Sequence, residues 1–242
     1  MDQLLIALDV ESSAKAIALA DNLRGVAGGF KIGSRLFTSE GPSIVRALTS
    51  RGDRVFLDLK FHDISNTVAQ ATAAATSLGV WMLNVHAYGG TRMMRFARDA
   101  AQETAVKEGR TPPLVIAVTV LTSMNQAMLG EIGVQGAVTD QVLRLADLTQ
   151  EAGLDGVVAS PQETSLIRAR CHADFAIVTP GIRGGQAVAT GKDDQERTMS
   201  PSEALAAGAS YIVVGRPVIA APDPCAAAES IVGEMRAGSV RL

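Results

Sequence analysis

The sequence predicts an α/β fold, a (β/α)8 TIM barrel forming a single domain over residues 1–242. Two observations carry this expectation. Eight short, apolar, β-rich runs alternate with longer Ala-rich amphipathic stretches along the whole chain, the pattern of a parallel sheet covered by helices. The length of 242 residues also suits such a barrel, which commonly takes roughly 250 residues. A negative observation agrees: Asp9 stands where a Gly-x-Gly-x-x-Gly turn would follow the first run, and there is no Walker sequence.

The elements follow in order. The first run, 4–8 (LLIAL), precedes a helical pattern over 13–24, and 30–33 (FKIG) precedes one over 41–51. The third run, 55–60 (VFLDLK), leads to a helix over 65–78, and 82–86 (MLNVH) to one over 91–108. Runs five and six, 115–121 (VIAVTVL) and 156–160 (GVVAS), precede helices over 138–152 and 163–171. The seventh, 176–179 (AIVT), opens into the longest irregular segment, the polar, Gly-rich 181–197 (GIRGGQAVATGKDDQER), before a helix over 201–208. The eighth, 211–215 (YIVVG), is followed by a helix over 225–236. A long connection after the seventh strand is more often functional than decorative.

Composition narrows the function. Hydrophobic residues make up 47% of the chain and charged ones 19%, enough apolar material for a core and against disorder. Aromatics are only 4% while glycines number 23, which favours close helix-on-strand packing over a β-sandwich. At a net charge of −3, Arg92, Arg95 and Arg98, spaced every third residue, read as a solvated helix face, so no nucleic-acid partner is expected. Cys171 and Cys225 have no CxxC or histidine spacing nearby, which argues against a disulfide scaffold or structural zinc and fits a reducing cytosol. No apolar stretch approaches the ~18 residues of a membrane span, and the first apolar run has no basic residues before it and ends at Asp9. A soluble, cytoplasmic protein without a membrane partner is expected.

Barrel chemistry sits at the C-terminal ends of the strands. The polar residues ending the apolar runs are Asp9, Lys31, the cluster from Asp58 to Asp63, His86, Thr122, Ser160, Arg183 and the pair Gly215-Arg216. The chain holds five lysines, and two of them, Lys31 and Lys60, end apolar runs, where desolvation is costly unless a charged partner is present. Strand alternation puts Asp58 and Lys60 on one face, with Asp63 just past the strand end and able to serve its own site or a neighbouring one. Carboxylate neighbours favour the charged form of an ammonium, so the array suits a lysine held protonated beside a developing carbanion. The competing reading is a buried structural ion-pair network. Gly215 and Arg216 after the eighth strand, with Arg183, Gln195 and Arg197 around the seventh loop, suggest a phosphate site. His86 reads as a hydrogen-bonded core histidine ahead of a substrate contact, and the histidines show no metal spacing.

The segments LDV (8–10), FKIG (30–33), DLKFHDISNT (58–67), VTVLTS (118–123), TPGIR (179–183), DQER (194–197) and VVGRP (213–217) occur in one order over nearly the whole chain. In that combination the sequence resembles the bacterial orotidine 5'-phosphate decarboxylases. The resemblance implies a homodimeric barrel that converts orotidine 5'-phosphate to UMP and CO2 without metal or organic cofactor. It makes Lys60 the proton donor to C6 of the pyrimidine, with Asp58, Lys31 and Asp63 completing the charged network. Asp63, Ile64 and Thr67 are then expected to act across the dimer interface. Asp9 and Lys31 are expected on the ribose hydroxyls, Thr122 on the base, and Arg183, Gln195, Gly215 and Arg216 on the phosphate. Two departures stand out: Ser65 replaces an expected proline, and the loop from Arg183 to Gln195 is longer than the family pattern. The alternatives are a metal-dependent phosphosugar decarboxylase or aldolase of the same barrel superfamily, and a non-catalytic nucleotide-phosphate binder. Lys31, where the metal-dependent relatives carry a glutamate ligand, argues against the first.

Overall fold

A computed structural model describes residues 2–182 and 199–239. Eight parallel strands close into a barrel in chain order: β1 (Leu4–Ala7), β2 (Gly29–Gly33), β3 (Val55–Phe61), β4 (Met82–His86), β5 (Leu114–Val118), β6 (Gly156–Val158), β7 (Ala176–Pro180) and β8 (Tyr211–Val214), which pairs back with β1. The helices outside it are α1 (Ser13–Leu23), α2 (Ser34–Glu40), α3 (Pro42–Thr49), α4 (Ser65–Ser77), α5 (Gly90–Lys107), α6 (Gln126–Glu131), α7 (Val138–Glu151), α8 (Thr164–Arg170), α9 (Pro201–Ala206), α10 (Arg216–Ile219) and α11 (Pro224–Ser239).

Side-chain alternation sorts each strand between two cores. Leu5, Ala7, Phe56, Met82, Ile116, Val178 and Val213 fill the barrel interior. Leu4, Ile6, Ile32, Leu57, Leu83, Ala117, Ile177 and Ile212 belong to the larger core between sheet and helices. Because both faces are buried, these strands read as continuous apolar runs. At the N-terminal end Trp81 and Tyr211 meet edge to face at 5.1 Å, with the Arg54 guanidinium over Trp81. The barrel is thus plugged with apolar side chains below, and polar groups collect at the opposite mouth.

Three sequence expectations need correcting. The fifth run leaves the sheet after Val118 and not at residue 121: its neighbour β6 ends at Val158, whose carbonyl accepts the last ladder bond from the Thr119 N–H and also the Thr119 hydroxyl. The sixth stops at Val158 and not at 160. Ser160 instead caps a short 3-10 turn by accepting the Gln162 N–H, and Pro161 has no N–H to offer a ladder. The helical pattern placed at 41–51 is two helices, α2 and α3, broken at Gly41, whose φ of 66° suits glycine, followed by Pro42 at the first position of α3. The departure at Ser65 is mild: it opens α4, a position where proline and serine are both accommodated. The arginine stripe on α5 is structural, since Arg95 and Arg98 donate to the carbonyls of Glu151 and Ala152 at the end of α7.

Candidate active site

The mouth of the barrel is organised by an irregularity in β3. Leu57 pairs with Leu83 and Phe61 with Val85, so Asp58, Leu59 and Lys60 together stand opposite Asn84 alone. An excess of two residues preserves alternation. Leu57, Leu59 and Phe61 pack towards the helices, and Asp58 and Lys60 meet on the inner face, where the Lys60 ammonium donates to Asp58 Oδ1 at 2.7 Å. The excursion puts Lys60 at φ 53°, the one positive φ of a non-glycine among the described residues. A left-handed lysine costs on the order of 1 kcal/mol and needs support from its surroundings.

Lys31 projects from β2, whose end is in register with β3 through Gly33 and Asp58. Its ammonium lies 3.2 Å from Asp9 Oδ1, beyond the end of β1, and 3.5 Å from Asp58 Oδ2. The side chains of Lys31 and Asp58 are only 10% and 14% exposed, whereas that of Asp9 is 50% exposed. Asp58 therefore has an ammonium on each oxygen, and Asn84 Nδ2 donates to Oδ1 at 2.7 Å as well. Burial alone would raise the Asp58 pKa. The charges of Lys31 and Lys60, with hydrogen bonds from Lys60 and Asn84, outweigh it and hold the carboxyl below the ordinary carboxylate range. The result is a fixed alternation of charge, Asp9, Lys31, Asp58, Lys60, across three neighbouring strands.

The structure brings Asp9, Lys31, Asp58 and Lys60 together. It does not bring Asp63 into that network: Asp63 is exposed, its Oδ1 accepts the Ile64 N–H, and it makes no ion pair among the described residues. Ile64 is 77% exposed and Thr67 is also exposed, both at the same rim. Thr122 sits half-buried in the turn after β5, off the strand end. Gly215 follows β8 directly, beside Asp9: a methyl group built on it would lie 3.5 Å from Ala7 and 3.8 Å from Asp9 Oδ2. Arg216 opens α10 and is exposed. Arg183, Gln195 and Arg197, with most of the 181–197 loop, lie outside the described residues.

His86 departs from expectation. It is half-buried, stacked on His62 at 5.5 Å and against Tyr88 at 5.3 Å, and its Nδ1 has no hydrogen-bond partner among the described residues. Burial first, then the charges of His62 and Lys60, push its pKa down to about 4, so the imidazole is neutral at physiological pH. Among the described residues, no three His, Cys, Asp or Glu side chains gather as a metal-binding group. Sequence reasoning missed Asn84. Its signal was a lone amide on the inner face of the otherwise apolar run MLNVH, where a polar group requires bonding partners.

The family model for "Orotidine 5'-phosphate decarboxylase / HUMPS family" matches residues 2–231. The orotidine 5'-phosphate decarboxylase of Syntrophotalea carbinolica is 52% identical over 235 residues, covering 97% of this chain and 95% of that relative. That of Moorella thermoacetica is also 52% identical over 235 residues, covering 97% and 92%. A crystal structure of the orotidine 5'-phosphate decarboxylase from Lactobacillus acidophilus superposes with a TM-score of 0.83 at 35% identity, covering 96% of this chain and 98% of that one.

Proposed function

The chain belongs to the orotidine 5'-phosphate decarboxylase / HUMPS family, and on that premise we propose how its residues divide the work. It is a carboxy-lyase of pyrimidine biosynthesis that converts orotidine 5'-phosphate to UMP and CO2. The observation that carries the assignment of roles is the Asp58 carboxylate clamped between the ammonium groups of Lys31 and Lys60 at the barrel mouth.

Loss of CO2 from C6 leaves an electron pair in an sp2 orbital that the pyrimidine π system cannot delocalise. Stabilisation must come from charge fixed in advance near that carbon. Lys60 supplies it, first as field and then as proton: the C6–CO2 bond breaks, the pair stays on C6, and the ammonium proton closes the new C–H bond. Asp58 holds Lys60 in place and lies near the departing carboxylate. Asp9 and Lys31 take the ribose hydroxyls, and Thr122 the base. Gly215, Arg216, Arg183 and Gln195 take the phosphate, where binding free energy remote from C6 is converted into rate. We assign the whole of 1–242 to one domain, with 181–197 as its phosphate-side loop.

Asp63, Ile64 and Thr67 are all exposed at the rim and so accessible to a second subunit, which supports a homodimer in which they reach the partner's site. A cytoplasmic location fits an enzyme of pyrimidine biosynthesis, and no described helix is long and apolar enough to cross a membrane.

The test is the ultraviolet absorbance of orotidine 5'-phosphate mixed with purified protein, with and without EDTA, beside the Lys60→Ala variant. The expected result is rapid decay indifferent to EDTA, absent in Lys60→Ala, with UMP still bound by the variant. Near-normal turnover by Lys60→Ala overturns the assignment, and decay abolished by EDTA transfers the chain to the metal-dependent branch.

A further inference from the structure

The inference concerns Asn84, to which the reaction outlined above assigns no role, and it rests on that reading. Asn84 lies on the inner face of β4, paired with Ile116 of β5 and fully buried. Its neighbours on that face of the barrel include Met82, Ile116 and Phe56, all apolar. An amide in such a place is costly unless both of its ends are bonded, and here both are. Oδ1 accepts the backbone N–H of Lys60 at 2.7 Å, and Nδ2 donates to Asp58 Oδ1 at 2.7 Å. The orientation of the amide is forced, since turning it over would set donor against donor at Lys60 and acceptor against acceptor at Asp58.

These two bonds occupy the place where the sheet is broken. Three residues of β3 face one residue of β4, so the Lys60 N–H has no regular ladder partner and the Asn84 side chain takes that part. The same side chain holds the oxygen of Asp58 that receives the Lys60 ammonium. We propose that Asn84 is a positioning residue for the decarboxylation, whose amide ties the left-handed backbone of the proton donor and its carboxylate partner into one rigid unit. No other natural side chain of this size both donates and accepts in those two directions while staying uncharged. Leucine would leave a buried N–H and a buried carboxylate short of a bond. Aspartate would satisfy Lys60 but oppose Asp58.

The experiment compares wild type, Asn84→Ala and Asn84→Asp, reading kcat from the absorbance decay, UMP affinity by calorimetry and folding by circular dichroism. For Asn84→Ala the expected result is a fall in kcat of about 100-fold, the size of effect that misplacing a reacting group produces, with UMP affinity of the same order as wild type. For Asn84→Asp, kcat per UMP-binding site is low at neutral pH and rises as the pH falls, because a protonated carboxyl again donates to Asp58 and accepts from Lys60. The charged and titratable groups facing this position are Lys31 from β2, Asp58 and Lys60 from β3, Asp9 beyond Lys31, and His86 farther along β4; all are present in wild type too, whose profile serves as the reference. A kcat near wild type in Asn84→Ala, or a loss matched by equal loss of UMP affinity, overturns the proposal. Should Asn84→Ala fail to fold, Asn84→Asp decides: a profile parallel to wild type overturns the proposal. Wild-type protein that does not turn over orotidine 5'-phosphate would instead overturn the underlying functional reading.

Discussion

Replacing Lys31 by methionine removes one charge and keeps most of the side-chain volume, so it isolates what the central ammonium contributes. At an effective dielectric constant near 20, a unit charge 3.5 Å from Asp58 Oδ2 is attracted by about 5 kcal/mol. The attraction to Asp9, at 3.2 Å, is nominally similar, but half of the Asp9 side chain is in water, which screens it to about 1 kcal/mol or less. Against these stands the desolvation of the ammonium itself, which methionine does not incur. Removing one member of a buried pair typically costs about 3–5 kcal/mol. Asp58 retains Lys60 and Asn84, so we place the net loss of stability nearer about 2–3 kcal/mol. In a chain of this size that lowers Tm by about 4–12 °C, measured by calorimetry at pH 7. The pH dependence supplies the sign. Asp58 is held below its ordinary value in the folded state, so its contribution is complete above the unfolded carboxyl pKa of about 3.9 and is lost as the pH falls through the folded value. The difference between wild type and Lys31→Met therefore shrinks once the pH drops below about 4. A Tm at pH 7 equal to or above wild type refutes the reasoning, since it would mean that burying Lys31 costs as much as its two carboxylates return.

Other outcomes follow from the same geometry. His86 has a depressed pKa of about 4 against an ordinary 6.5, so the unfolded chain takes up a proton before the folded one does. Stability is full above about pH 6.5 and declines towards pH 4; urea unfolding of His86→Gln should decline less over that window, and equal declines would remove His86 as the cause. Gly215→Ala places a methyl in ordinary contact with Ala7 and near Asp9, so Tm should stay near wild type while KM for orotidine 5'-phosphate rises; a lower Tm with unchanged KM would make Gly215 a packing residue only. If Asp63 serves the partner's site, mixing unfolded Lys60→Ala and Asp63→Ala chains and refolding them together restores about a quarter of the wild-type sites by random pairing, and a mixture as inactive as its parents excludes the shared site.

The fold was legible because a parallel barrel buries both faces of every strand, which leaves eight continuous apolar runs set between amphipathic helical stretches. Boundaries were less so. Val118 to Leu121 is apolar enough to continue a strand, but its neighbour β6 ends at Val158, and the Thr119 N–H makes the last ladder bond to that residue's carbonyl. The charged part of the site was legible for the opposite reason: Lys31, Asp58 and Lys60 interrupt apolar runs, and an ionised side chain in such a run requires partners. Asn84 escaped because an uncharged amide in a run looks like tolerated polarity, and its importance depends on a register shift that sequence does not display. His86 was misjudged in detail because stacking between His62 and Tyr88 depends on how three separate rings are oriented at the strand ends.

The distribution of the site between strands and loops follows from what each part must do. Stabilising charge at one carbon atom depends steeply on distance, so the groups responsible belong on the least deformable part of the molecule. Lys31, Asp58, Lys60 and Asn84 all project from strands of a closed sheet, tied to one another across β2, β3 and β4. In an ideal strand Asp58 and Lys60 would share a face but stand opposite two different residues of β4. The two extra residues of β3 set both of them opposite Asn84. They also break the ladder at the Lys60 N–H, and the break is closed by an amide that at the same time grips Asp58. Distortion of the sheet and organisation of the charges are therefore one feature, and a substitution that regularised β3 would be expected to stabilise the barrel while abolishing its chemistry.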